Sequence, residues 1–340
     1  TNTSLRSKLD VILSIRRFKA IFWNLIRRTR ATKTNGDAIT VSSLYEHFKV
    51  KFAAPALSTS AVDEADRRVA SKASRLCDVP LNHITVSEQR MKRIIKKLRK
   101  GCSAGIDGIT PEHLHYALGT QMTLHLSILL TLCLRFGCFP DSFRTGLVVP
   151  ILKKAQLDPS KPSSYRPITV SVVISKLLEI YCLEECSPNQ MHPCQFGFVP
   201  RRGTNTAIAL AQDVAAYCYS RGSPLYMCSL DAEGAFDCVP HGVLFDKASH
   251  AIPDHCWRIL FAWYSHTSAM IKWNGRLSPP MKVERGTRQG GLTSPFMFNL
   301  YYHDLIANLN AQRTGVSIQG QNYNVYCYAD DILLSSTIAL

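Results

Sequence analysis

Two acidic signatures carry the most chemical information in this sequence. Ser-Leu-Asp-Ala-Glu-Gly-Ala-Phe-Asp occupies 229–237, and Tyr-Ala-Asp-Asp occupies 328–331. Each sets an aspartate at the end of an apolar, strand-like run. Asp231, Asp330 and Asp331 together offer three carboxylates that could hold two divalent cations. Magnesium favours carboxylate oxygens together with water and substrate phosphates. In a pair of such ions about 3.5–4 Å apart, one lowers the pKa of an attacking 3′ oxygen and the other holds the leaving pyrophosphate. The formal net charge of the chain is +15, so a concentrated acidic spot needs a reason. Nucleotidyl transfer on a nucleic acid supplies one, because its site needs negative charge and the surrounding surface needs positive charge.

The elements around these residues must bring them together. Alternation along a strand sends consecutive side chains to opposite faces, so Asp330 and Asp331 can serve one site only from a turn. Leu225 to Leu230 reads as a buried strand that delivers Asp231. Tyr323 to Tyr328 and Ile332 to Ser335 read as the arms of a hairpin around Ala329-Asp330-Asp331. Each signature taken singly has a plainer reading. An aspartate after a strand is often a helix N-cap, and an Asp-Asp pair can be an ordinary turn.

At 340 residues the chain exceeds one compact core, and two or three subdomains are expected. Its 46% hydrophobic and 19% charged residues describe a globular protein, not a disordered one. A pI near 9.4 implies anionic partners. Nucleic acid suits better than membrane, because no apolar stretch is long enough to span a bilayer. The longest apolar run, Leu126 to Leu134, stops at Arg135 and reads as part of a buried helix. The 12 cysteines form no Cys-x-x-Cys pair, which points to a reducing compartment and buried thiols. Their densest group, Cys182, Cys186 and Cys194 with His192, matches no common zinc module. The first residue is Thr1, not Met, and no signal peptide follows, so the chain reads as a fragment.

Along the chain, residues 1–34 set Arg16, Arg17, Lys19, Arg27, Arg28 and Arg30 among apolar residues, a basic amphipathic pattern suited to phosphate contact or to a solvated helix face. Asn35-Gly36-Asp37 marks a turn, and a short helix follows around Leu44 to Phe52. Residues 53–82 read as a linker or loosely packed segment. Thr85 and Glu88 form a capping-box pattern ahead of Met91, Ile94, Ile95 and Leu98 at helical spacing. Thr110-Pro111-Glu112 opens another helix. Leu147 to Leu152 and Tyr165 to Val170 read as a hairpin with a basic tip. Helical patterns cover Ser171 to Glu185, Asn205 to Ser220 and Val243 to Thr267. Asn274-Gly275 turns a further hairpin, and Ser294-Pro295 opens a helix to about Asn310.

The order of motifs resembles the reverse transcriptase of non-LTR (LINE-type) retrotransposons, from about residue 84 to the end. Leu-Lys-Lys at 152–154 and Tyr-Arg-Pro-Ile at 165–168 resemble its two finger motifs. Gln-Phe-Gly-Phe at 195–198, with Arg201-Arg202-Gly203-Thr204, resembles the LINE-specific motif that follows. The stretches at 229–237, Arg-Gln-Gly-Gly-Leu-Thr-Ser-Pro at 288–295 and 328–331 resemble motifs A, B and C. Ser103 to Gly108 resembles the loop upstream of the fingers.

This resemblance implies an α+β fold of the right-hand polymerase type, with fingers and a palm whose antiparallel sheet carries the aspartates. It divides the chain into a basic helical segment and linker at 1–83, fingers at 84–224 and palm at 225–340. The thumb would lie beyond the C-terminus and an endonuclease upstream of Thr1. The implied activity is RNA-directed DNA synthesis with Mg²⁺, or alternatively Mn²⁺, on an RNA template, a DNA primer and deoxynucleoside triphosphates. Asp231, Asp330 and Asp331 would be catalytic metal ligands. Lys153 and Arg166 would grip the triphosphate, Arg by its bidentate fork. Phe236 would be the steric gate against a 2′-OH. Gln289 and Gly290 would lie beside the nascent base pair, and Arg201 and Arg202 would touch template phosphates. The implied location is intracellular, in the nucleus. The rival readings are a non-catalytic RNA-binding remnant, a group II intron- or retron-type polymerase, and an RNA-dependent RNA polymerase, which Phe236 opposes.

Overall fold

A computed structural model describes residues 39–54, 59–77, 79–186, 191–312 and 314–338. The basic stretch at 1–34 and the turn at 35–37 lie outside the described residues. The fold mixes helices with two separate main sheets. In chain order the helices are α1 (Val41–Phe52), α2 (Ser60–Cys77), α3 (Glu88–Lys97), α4 (Pro111–Tyr116), α5 (Gln121–Phe136), α6 (Val173–Glu185), α7 (Thr204–Ser220), α8 (His241–Ala248), α9 (Asp254–Ser265) and α10 (Ser294–Ala311). The strands are β1 (Thr145–Leu152), β2 (Tyr165–Val170), β3 (Tyr226–Asp231), β4 (Ser268–Trp273), β5 (Arg276–Leu277), β6 (Met281–Lys282), β7 (Val316–Ile318), β8 (Gln321–Tyr323), β9 (Val325–Tyr328) and β10 (Asp331–Ser336).

The first sheet runs β2-β1-β4-β5, with β6 also paired to β4. Its β1–β2 hairpin is antiparallel, whereas β1 and β4 run parallel. The second sheet, β3-β10-β9, is wholly antiparallel and carries both acidic signatures. Behind them lies one large helical core that includes Met91, Leu130, Leu177, Phe245, Trp257 and Trp263. Arg258 is buried there and ties two helix ends together. Its Nη1 donates to the carbonyls of Leu76 and Val79, and its Nη2 to those of Leu134 and Arg135. Carbonyls at helix C-termini have no partner within their own helix, and a cation satisfies them best.

α1 packs against the first sheet. Leu44, Phe48 and Phe52 bury against Val148, Ala269, Ile271 and Met281. Each such side chain contributes about 1.5–3 kcal/mol when fully covered. Arg285 then fixes the helix end by donating to the carbonyls of Lys51 and Val50.

Four expectations need correcting. The stretch read as a linker contains α2, an 18-residue helix whose Ala65 and Val69 are buried. Its apolar face is built from small side chains, which weakens its signal. Ser87, not Thr85, caps α3 by accepting from the Arg90 N–H. Thr85 instead accepts from Arg135. The helix expected over 243–267 is two helices, because Pro253 stands as the N-cap of α9 and restarts the chain there. β3 is a strand, but all six of its residues are exposed. It is the edge of its sheet, and apolar composition alone cannot tell an edge from a centre.

Candidate active site

The candidate site forms where β3 meets the β9–β10 hairpin. Asp331 is paired directly across from Asp231, followed by Ile332 with Leu230 and Leu333 with Ser229. Directly opposed residues share a face, with Cβ atoms about 4.5–5.5 Å apart. Asp330 sits in the turn between Tyr328 and Asp331. Burial holds its carboxyl above the usual carboxylate range. The negative charges of Asp331 and Asp231 push the same way, and the positive charge of Arg166 opposes them. The three carboxylates are thus within electrostatic reach of one another, and Arg166 belongs to the same neighbourhood.

The turn has a brace that motif reading passed over. Ala329 takes a left-handed backbone, φ +58°, a conformation costly for a residue with a Cβ. Gln195, 1% exposed, holds it from both sides. Its Oε1 accepts from the N–H groups of Ala329 and Gly197, each at 2.9 Å, and its Nε2 donates to the Ala329 carbonyl at 3.3 Å. The flanking backbone joins β9 through Phe196 N–H to Cys327 O and Cys327 N–H to Cys194 O. Gly197 lies so close that a Cβ there would collide with the Ala329 nitrogen. Asn299 in turn donates to the Gly197 carbonyl.

Phe236 sits just beyond β3 in a short 3-10 turn at 235–237. Its ring stacks on buried Phe298, centroids 3.9 Å apart and planes 15° from parallel. Phe198 meets the same ring edge-on at 6.1 Å. The Phe236 carbonyl accepts from the Thr287 N–H at 2.7 Å. The next residue, Asp237, is buried. It accepts from Gln289 Nε2 at 2.7 Å and pairs with Lys51 Nζ at 2.7 Å. The Gln289 carbonyl accepts from the Thr169 N–H at 2.6 Å, which ties this loop to β2. Gly290, φ +109°, allows that approach: a Cβ there would stand 2.5 Å from the Thr169 oxygen. Arg288 is buried over the Trp263 ring and pairs with Glu179, whose other oxygen accepts from the Thr293 N–H and hydroxyl.

The basic residues divide. Lys153 and Arg166 are exposed on the β1–β2 hairpin, with Arg166 across from Ile151. Arg201 is exposed, at φ +64°. Arg202 has another occupation: its Nη1 donates to the carbonyls of His192, Pro193 and Gln195. That bonding shapes the loop that carries Gln195. All 12 cysteines are free thiols, among them Cys182, Cys186 and Cys194.

Residues 151–339 match the family model described as reverse transcriptase (RNA-dependent DNA polymerase). The chain belongs to that family. Among curated proteins, this reverse transcriptase chain is 26% identical over 259 residues to the RNA-directed DNA polymerase from mobile element jockey of Drosophila funebris, covering 75% of this chain and 27% of that protein. It is 26% identical over 251 residues to the retrovirus-related Pol polyprotein from type-2 retrotransposable element R2DM of Drosophila melanogaster, covering 73% and 23%. The chain thus spans about a quarter of the length of the curated relatives it matches. A solved structure of apo telomerase from Candida tropicalis, truncated from its C-terminal domain, aligns with a TM-score of 0.42 and 11% identity over 59% of this chain and 45% of that one. The non-LTR resemblance read from the motif order agrees with these relatives.

Whether the carboxylates suit a cation follows from their chemistry. Hard oxygen donors and a raised Asp330 are what a divalent ion would neutralise. Among the described residues no three acidic, His or Cys side chains close around an ion by themselves. Magnesium usually takes only one or two carboxylates, with water and substrate phosphate completing its shell. No helix of the described residues is long and apolar enough to cross a membrane.

Proposed function

We propose that this chain carries the catalytic core of an RNA-directed DNA polymerase from a non-LTR retrotransposon. The observation that carries the reading is the strand register that sets Asp231 opposite Asp331 with Asp330 in the adjoining turn. In this reading the β3-β10-β9 sheet is the palm, within 225–340, and the β1–β2 hairpin belongs to fingers spanning 84–224. Its partners are an RNA template, a DNA primer and deoxynucleoside triphosphates, and its work on genomic DNA belongs in the nucleus.

Asp231, Asp330 and Asp331 would hold Mg²⁺, with Mn²⁺ as a substitute. Bound there, the ions would supply the acidified 3′ oxygen and the charge to hold the departing pyrophosphate. The chain's own groups do the rest. Arg166, exposed and within electrostatic reach of Asp330, and Lys153, exposed on the same hairpin, would take the triphosphate. Phe236 is pinned by stacking on Phe298 and by its backbone bond to Thr287. It cannot retreat from a 2′-OH, which suits a gate. Gln289 and Gly290 would border the nascent base pair. Arg201 would meet template phosphate, while Arg202 serves that contact through the loop it shapes.

Primer extension on an RNA template tests this. The chain should add deoxynucleotides with Mg²⁺. Asp231→Asn and Asp330→Asn should each abolish addition while leaving the melting temperature close to that of the parent. If the parent adds nothing with either Mg²⁺ or Mn²⁺ yet binds RNA, a non-catalytic RNA-binding role replaces the polymerase reading.

A further inference from the structure

α1 lies upstream of the family-matched segment, yet it reaches the site. Lys51 Nζ stands 2.7 Å from Asp237 Oδ2, and Gln289 Nε2 donates to Asp237 Oδ1 at 2.7 Å. Asp237 is 4% exposed and Lys51 21%. The bordering cavity, about 20 Å³, leaves room for hardly more than one water. The charges of Lys51 and Lys153 both act on His47, after burial, to lower its imidazole. The helix lysine and the finger lysine therefore face one region.

A buried carboxylate without its counter-cation is strongly disfavoured where it stands. A carboxylate oxygen only accepts, so it can face the NH₂ of the Gln289 amide but not its oxygen. We propose that Lys51 is a positioning residue for Gln289. By holding the Asp237 carboxylate in place through their ion pair, it locks the carboxamide in one orientation, with Oε1 turned away from Asp237 and toward the nucleotide. This rests on the reading of Gln289 as the residue beside the incoming nucleotide.

The test uses the full chain and two independent readouts. The first is the side-chain amide resonance of ¹⁵N-labelled Gln289, assigned by its loss in Gln289→Glu. It should be a single sharp pair in the parent, shift or broaden in Lys51→Met, and return in Lys51→Arg. The second is primer extension. Lys51→Met should lower kcat/KM for the deoxynucleotide about ten-fold or more, carried mainly by KM, because a group displaced by an ångström loses that much. Lys51→Arg should recover to within about two-fold, since the cation is kept. Lys49→Met, on the exposed side of the same helix, should match the parent. The double variant Lys51→Met with Asp237→Asn removes the unpaired buried charge and guards against misfolding. It should show two amide populations, because an asparagine both donates and accepts. An unchanged Gln289 resonance in folded Lys51→Met overturns the proposal. If the parent incorporates no nucleotide, the polymerase reading fails instead, and the resonance alone decides what Lys51 does.

Discussion

At the scale of single residues, the site depends on side chains that hold backbone as much as on those that would meet substrate. Gln195 satisfies both peptide groups of Ala329 inside a region closed to water. Gln195→Ala orphans two buried N–H groups, those of Gly197 and Ala329, at about 1–3 kcal/mol each. Extension should fall roughly 10²-fold as Asp330 drifts. Gln195→Glu keeps the acceptor but loses the donor, so it should fall between parent and alanine in single-nucleotide assays. Phe236→Val should admit ribonucleotides, moving the sugar preference by about 10²-fold; an unaltered preference would remove the gate assignment. The pairing of the acidic signatures was legible because their residue types and spacing are rare. Lys51 was not, and Gln195 was read only as the start of a motif, without its hold on Ala329. A lysine in a basic chain carries no signal, and a buried glutamine has no periodicity to betray its partners. Arg202, read as a phosphate contact, also has a role the sequence did not show, since its Nη1 donates to the carbonyls of the loop that carries Gln195.

At the scale of elements, the strands and most helices followed from hydrophobic pattern, turn residues and caps. What failed had physical causes. α2 hides behind alanines, and β3 has the composition of a covered strand at an uncovered edge. Gly197→Ala tests how tightly the hairpin that carries Asp330 and Asp331 is seated. The added methyl must displace Ala329, so polymerisation should be lost while circular dichroism stays near that of the parent. Arg258→Met tests the junction of α2 and α5. It leaves four carbonyls without their cation. The expected loss is about 2–4 kcal/mol, read as a lower midpoint in chemical denaturation.

At the scale of the whole molecule, one partly buried histidine ties stability to pH. His241 bonds the Gly286 carbonyl through Nε2 at 2.9 Å, and burial lowers its imidazole below 6.5. The unfolded chain therefore takes up that proton first as pH falls. The stabilisation is complete above 6.5 and is lost as pH drops from there toward the folded value. Going from about pH 7.5 to about 5.5 should lower the melting temperature less in His241→Gln than in the parent. The docking of α1 has a practical sequel. A protein cut back to the segment that matches its family would lose the lid over Ala269 and Ile271, and Val148 with it. It would also leave a buried anion with no counter-charge. Such a trimmed piece should precipitate or turn over poorly even with the motifs from 152 to 331 intact, so the smallest working unit begins well ahead of the stretch by which the family is detected.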